Sequence, residues 1–146
     1  MNLTHGDYEL SDDKSRLDLH TICALLNATY WAADRSRETM QTAIEHSVCF
    51  GLFQSGKQVG FGRLITDFAT YNYLCDVIIA PEHRGNGLGK WLVESMLAHP
   101  ASQSGPVYLR TKDAHELYRS FGFKDSRCMR LGSGVDLSLQ HDQGGG

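Results

Sequence analysis

Asp76-Val77-Ile78-Ile79-Ala80-Pro81-Glu82-His83-Arg84-Gly85-Asn86-Gly87-Leu88-Gly89-Lys90 is the stretch on which the fold turns. An apolar run stops at Pro81, three glycines alternate, and Leu88, Leu92, Val93, Met96 and Leu97 then recur at helical spacing up to Pro100. The pattern is strand, turn, helix. Glycine admits backbone torsions closed to other residues and lets a ligand approach the main chain. The first-turn amides of the following helix point outward, with the positive end of the helix dipole behind them. Such a turn suits an anion, and a phosphate or pyrophosphate is its natural guest. A P-loop would need glycine where Arg84 stands and Ser or Thr where Trp91 stands. The GxGxxG fingerprint fails as well, because Gly85, Gly87 and Gly89 are spaced two by two. A connection that holds nothing is the alternative reading.

Upstream, Val48–Phe53 and Val59–Thr66 flank the turn Ser55-Gly56-Lys57 and read as a hairpin. Thr70–Ile79 is a third strand. Before them, Leu19, Ile22, Cys23 and Leu26 follow a helical period, with Ser15 and Asp18 at capping-box spacing. A second helix is expected over Arg37–Glu45. Residues 1–14 read as a polar lead-in with a short strand at Tyr8–Leu10. Downstream, Val107–Leu109 reads as a strand and Asp113–Ser120 as a short helix, capped by Asp113 and closed by Gly122. A last strand is expected from Phe123 toward Met129 and Leu131. The order indicates an α+β, or mixed α/β, fold around one sheet. The division expected is one domain over residues 1–131 and a flexible, glycine-rich C-terminal tail over 132–146.

The chain has 146 residues, 41% apolar and 21% charged, and so suits one domain with a real core. Fourteen Lys and Arg against 17 Asp and Glu give a net charge of −3, a poor basis for nucleic-acid binding. No apolar run reaches membrane-span length, and the start lacks the pattern of a signal peptide. A soluble, cytoplasmic protein is expected. Cys23, Cys49, Cys75 and Cys128 form no CxxC pair, and Cys49 and Cys75 read as buried thiols. His5, His20, His46, His99, His115 and His141 show no ligand spacing, so no metal is expected.

Arg84-x-x-Gly87-x-Gly89 matches the [QR]xxGx[GA] signature of the GNAT superfamily of N-acetyltransferases. The segment with Ala114, Tyr118, Gly122 and Phe123 also resembles that family's downstream helix. Residues 47–123 carry the likeness, whereas 1–46 match only in helix order. The resemblance implies a central, mostly antiparallel sheet with two splayed parallel strands, flanked by helices, and acetyl-CoA as co-substrate. The amides of Arg84, Gly85, Asn86, Gly87, Leu88, Gly89 and Lys90 would hold its pyrophosphate. Val77, Ile78 and Ile79 would pair with its pantetheine arm. Thr111 stands where many relatives have a cofactor-binding asparagine. Tyr118 occupies the position that often supplies the general acid, and a phenol of pKa about 10 can protonate a departing thiolate.

The base is less determined. The matching strand positions are Tyr73 and Cys75, both weak bases. Asp76 is the strand's only carboxylate, and alternation places it opposite them. It reads either as catalytic or as a buried tie between sheet and helix. Tyr30, Trp31, Asp34 and Arg35 are candidates for acceptor selection: aromatics and a carboxylate suit a cationic amine, while Arg35 suits a substrate carboxylate. Asp67 carries the same ambiguity. The expected activity is transfer of an acetyl group to a primary amine of a small molecule or peptide by direct attack, with a homodimer possible. A non-catalytic acyl-CoA sensor and a plain interaction protein are the alternatives.

Overall fold

The β-branched and aromatic runs of the chain's middle third build the centre of one sheet, as their side chains favour. The computed structural model describes residues 1–132. It forms two compact units, residues 1–109 and residues 110 onward. The first holds six strands: β1 (Asn2–His5), β2 (Tyr8–Ser11), β3 (Val48–Gln54), β4 (Lys57–Thr66), β5 (Asn72–Ile79) and β6 (Val107–Tyr108). They lie side by side in sequence order. Every neighbouring pair is antiparallel except β5 and β6, which are parallel. This is the mixed α/β class expected, with its parallel strands at one edge.

The polar lead-in contains a strand that its composition hid. β1 pairs with β2 through a turn at Gly6, whose φ is 61°. All four β1 residues are exposed, so no apolar alternation marks the strand in the sequence. Helix α1 (Leu19–Asn27) is capped by Asp18, whose carboxylate accepts from the Thr21 amide at 3.2 Å. Ser15 is not its N-cap; it sits in a 3-10 turn and donates to Asp13. Helix α2 (Arg37–Glu45) starts at Ser36, which accepts from the Thr39 amide.

Helices α1 and α2 cover one sheet face. Ile22, Leu26, Ala32 and Met40 pack there with Cys49, Phe61 and Ile78, and each fully buried large side chain contributes about 1.5–3 kcal/mol. Helix α3 (Leu88–Ala98) packs on β4 and β5. Its approach needs Gly62: a Cβ there would meet the Met96 sulfur at 2.6 Å.

The third strand begins at Asn72 rather than Thr70, because Asp67 binds the segment before it into a turn. The carboxylate accepts from the amides of Ala69, Thr70 and Tyr71. Strand β6 is shorter than expected, with two residues.

In the second unit, helix α4 (His115–Arg119) is preceded by Ala114 at the cap position. Asp113 is not its cap: Thr111 Oγ1 accepts from the Ala114 amide at 3.0 Å. The expected last strand does not form among the described residues, as 123–132 carry no strand. The Phe123 amide instead closes the helix end on the Tyr118 carbonyl, and Met129 and Leu131 are exposed. The tail expectation falls, from residue 133 on, outside the described residues. No helix among them is long and apolar enough to cross a membrane.

Candidate acyl-donor and acceptor site

Strand β5 leads into the glycine turn through a short 3-10 turn at Pro81–His83. Gly85 and Gly87 have φ of 85° and 73°. Both are left-handed positions that disfavour any residue with a Cβ. Among the described residues beyond the chain neighbours, no atom lies within 4 Å of where a Cβ would stand at either, so the turn is open to them on its outer side. Gly87 caps α3 without a side-chain hydrogen bond. Among the described residues, no acceptor meets the amides of Gly85 through Lys90, and the helical ladder starts with Trp91 donating to Gly87. These donors, flanked by exposed Arg84 and Lys90, suit an anion.

Side chains anchor the turn. Arg84 Nε donates to the Ile79 carbonyl at 3.0 Å, and Asn86 Nδ2 to the His83 carbonyl at 3.3 Å. The Tyr8 hydroxyl lies 2.9 Å from His83 Nδ1. The His5 and Trp91 rings are 5.3 Å apart. The terminal hairpin thus braces the turn, a role invisible in sequence because these residues lie some eighty positions apart.

Beside the turn, the edge of β5 is open. β6 pairs only with Asn72 and Tyr73, so Leu74 to Ile79 have no strand partner on that side among the described residues. An edge of this kind can take an extended, amide-bearing chain. Val77, Ile78 and Ile79, expected to contact such a chain, all lie on it.

A bulge interrupts β5 next to this edge. Arg63 pairs with Cys75 but Phe61 with Ile78, and Asp76 has φ of 55°. The bulge corrects the expected alternation. Arg63 shares its face with Cys75, yet its Nε donates to Asp76 Oδ2 at 2.9 Å, so Asp76 reaches the same side. Arg35 Nη1 also donates to that oxygen, at 2.6 Å, and Trp31 Nε1 to the other at 3.2 Å. The carboxylate is fully buried. Three donors from two helix-flanking residues and one strand residue therefore converge on one acid.

Arg63 escaped the sequence reading. Its signal was there: a cation inside the apolar run Val59–Ile65 needs a buried anion, and Asp76 is the nearest strand carboxylate. The half-buried Cys75 thiol is pushed up to about 12 by burial, with Arg63 and Arg35 pulling weakly the other way. Half-buried Tyr73 pairs with Tyr108. Tyr30 and Trp31 meet edge-to-face at 5.1 Å and are 58% and 40% exposed. Asp67 is held far below the ordinary carboxylate range by the Thr70 hydroxyl and the three amides of its loop, so its oxygens are committed locally. The first unit contains Tyr30, Trp31, Arg35, Tyr73, Asp76 and the glycine turn, and brings Tyr30, Trp31, Arg35 and Asp76 together. Thr111 and Tyr118 belong to the second unit, where the Tyr118 ring lies 5.8 Å from Phe123.

The family model described as an acetyltransferase (GNAT) domain matches residues 45–125. A candidate acetyltransferase of Gibberella zeae is 33% identical over 98% of this chain and 94% of its own. The crystal structure of a GNAT-family protein from Xanthomonas campestris pv. campestris superposes with a TM-score of 0.79 at 44% identity, covering 85% of this chain and 87% of that one. The N-acetylglutamate synthase of Neisseria gonorrhoeae, solved with coenzyme A and N-acetyl-glutamate, shares the fold at a TM-score of 0.67 and 17% identity, over 81% of this chain and 28% of its own.

Proposed function

This chain belongs to the GNAT acetyltransferase family, and on that premise we propose that it is an acetyl-CoA-dependent N-acetyltransferase acting on a primary amine. One observation carries the reading: the amides of Gly85 to Lys90, which meet no acceptor among the described residues, follow the open edge of β5 after one short 3-10 turn. A diphosphate and an extended amide-bearing arm need those two features in that order. A neighbour of the same fold was solved with coenzyme A, which supports the assignment. When bound, acetyl-CoA supplies an activated acetyl thioester to an amine acceptor in a ternary complex.

The chain's residues are assigned as follows. The turn amides, with Arg84 and Lys90, neutralise the diphosphate. Backbone groups of Val77, Ile78 and Ile79 hold the arm extended, and an edge N–H there polarises a carbonyl oxygen. Thr111 is assigned as a cofactor contact through its hydroxyl. Tyr118 is assigned as general acid from its place in the Ala114-to-Phe123 segment, its proton passing to the departing thiolate. The amine nitrogen bonds to the acetyl carbon as the carbon–sulfur bond breaks, and Tyr73 is assigned to the path by which the amine proton leaves. Asp76, with both oxygens hydrogen-bonded and no exposed surface, positions Trp31 and Arg35.

Coenzyme A release is to be followed with acetyl-CoA and a panel of primary amines, the products being identified by mass. At least one amine releases thiol above background, and Tyr118→Phe lowers kcat about a hundredfold with KM for acetyl-CoA unchanged. Tight acetyl-CoA binding with no thiol release from any amine would replace the enzyme with a sensor. No binding at all would overturn both.

A further inference from the structure

The acceptor face carries an unbalanced charge. Two guanidinium groups, Arg35 and Arg63, share the single carboxylate of Asp76. Arg63 is 10% exposed and also donates to the Ser47 hydroxyl through Nη1 at 3.0 Å. Arg35 is 27% exposed and uses Nη1 alone, toward Asp76 and the Met40 sulfur. A guanidinium has five N–H donors in a planar fork. Among the described residues, no acceptor meets those on Nε and Nη2 of Arg35.

Among the described residues, no acid other than Asp76 forms an ion pair with Arg35 or Arg63, and Asp67 spends its oxygens on its own loop. The Cys75 thiol is neutral near pH 7. Beside Arg35, the exposed rings of Tyr30 and Trp31 supply flat apolar surface. Trp31 is fixed through the same Asp76 that fixes Arg35.

We infer that Arg35 selects an acceptor amine bearing an anionic group, a carboxylate or phosphate, which pairs with its free donors while the rest of the acceptor lies against Trp31. The inference rests on the acetyltransferase reading, which puts the acyl end near Asp76, the residue before Val77. A guanidinium fork matches planar and tetrahedral oxyanions alike.

The test compares matched amines with and without the anion: phenylalanine with phenethylamine, glycine with methylamine, and phosphoethanolamine with ethanolamine. In at least one pair the anionic member has the higher kcat/KM, about tenfold or more, expressed in KM. The arm showing the preference tells carboxylate from phosphate. Arg35→Gln brings that ratio to near one, and Arg35→Lys leaves an intermediate ratio. Because both members are measured on the same preparation, the ratio is insensitive to any loss of folded protein. Turnover of amines with no anionic preference, or a preference unchanged in Arg35→Gln, overturns the inference and leaves the acetyltransferase reading standing. No turnover of any amine overturns both.

Discussion

Replacing Asp76 removes the one acceptor on which Arg35, Arg63 and Trp31 converge. Asp76→Ala strands a guanidinium that is only 10% exposed, and unpairing a buried charge costs about 3–5 kcal/mol. Arg35, 27% exposed, recovers part of its loss from water. The Trp31 bond adds about 1 kcal/mol, and alanine tolerates a φ of 55° less well than Asp, adding a part of the roughly 1–2 kcal/mol left-handed cost. These terms overlap, since one relaxation relieves several of them, so the expected total is about 4–5 kcal/mol. For a chain of 146 residues this lowers Tm by roughly 10–15 °C. Asp76→Asn keeps an acceptor and tolerates the left-handed backbone, so it costs less, about 2–3 kcal/mol. Urea unfolding gives both values through the shift in midpoint at constant slope. The double variant Asp76→Asn with Arg63→Gln should cost at least about 1 kcal/mol less than the sum of its single changes. A loss below about 1 kcal/mol for Asp76→Ala, the range of a solvated surface pair, refutes the account of this cluster.

Burial pushes the thiols of Cys49 and Cys75 up to about 11 and about 12. A disulfide reagent at pH 8 should therefore modify exposed Cys128 first and leave these two intact until the chain unfolds; Cys75 reacting as fast as Cys128 would contradict this. Asp67 has a folded pKa far below its ordinary value. Its stabilisation is thus complete above about pH 4–5 and is lost as pH falls from there through the folded value. The stability gap between the parent and Asp67→Asn should be constant above pH 5 and close in strong acid. A gap unchanged down to pH 2 would assign the turn to its backbone alone.

Local signals gave most of the fold. Helix α2 was legible from the helical spacing of Met40, Ala43 and Ile44, and β3 and β4 from dense apolar runs around a glycine turn, whereas the Ser36 cap of α2 emerged only in the structure. β1 was not, because an edge strand exposed on both faces leaves no periodic apolar trace. The strand expected after Phe123 failed for a different reason. Its first residue serves the end of α4, and a turn-closing bond competes with extension.

The amino-acid order by itself settled the strand, glycine turn and helix at residues 76–90, since backbone freedom and helix-end amides are properties of adjacent residues. Tertiary structure alone decided what Asp76 touches. A bulge, three donors from distant positions and full burial surround this strand carboxylate and, among the described residues, leave Arg35 with donors to spare. Such a role depends on which groups meet in space, and residue spacing carries no record of that.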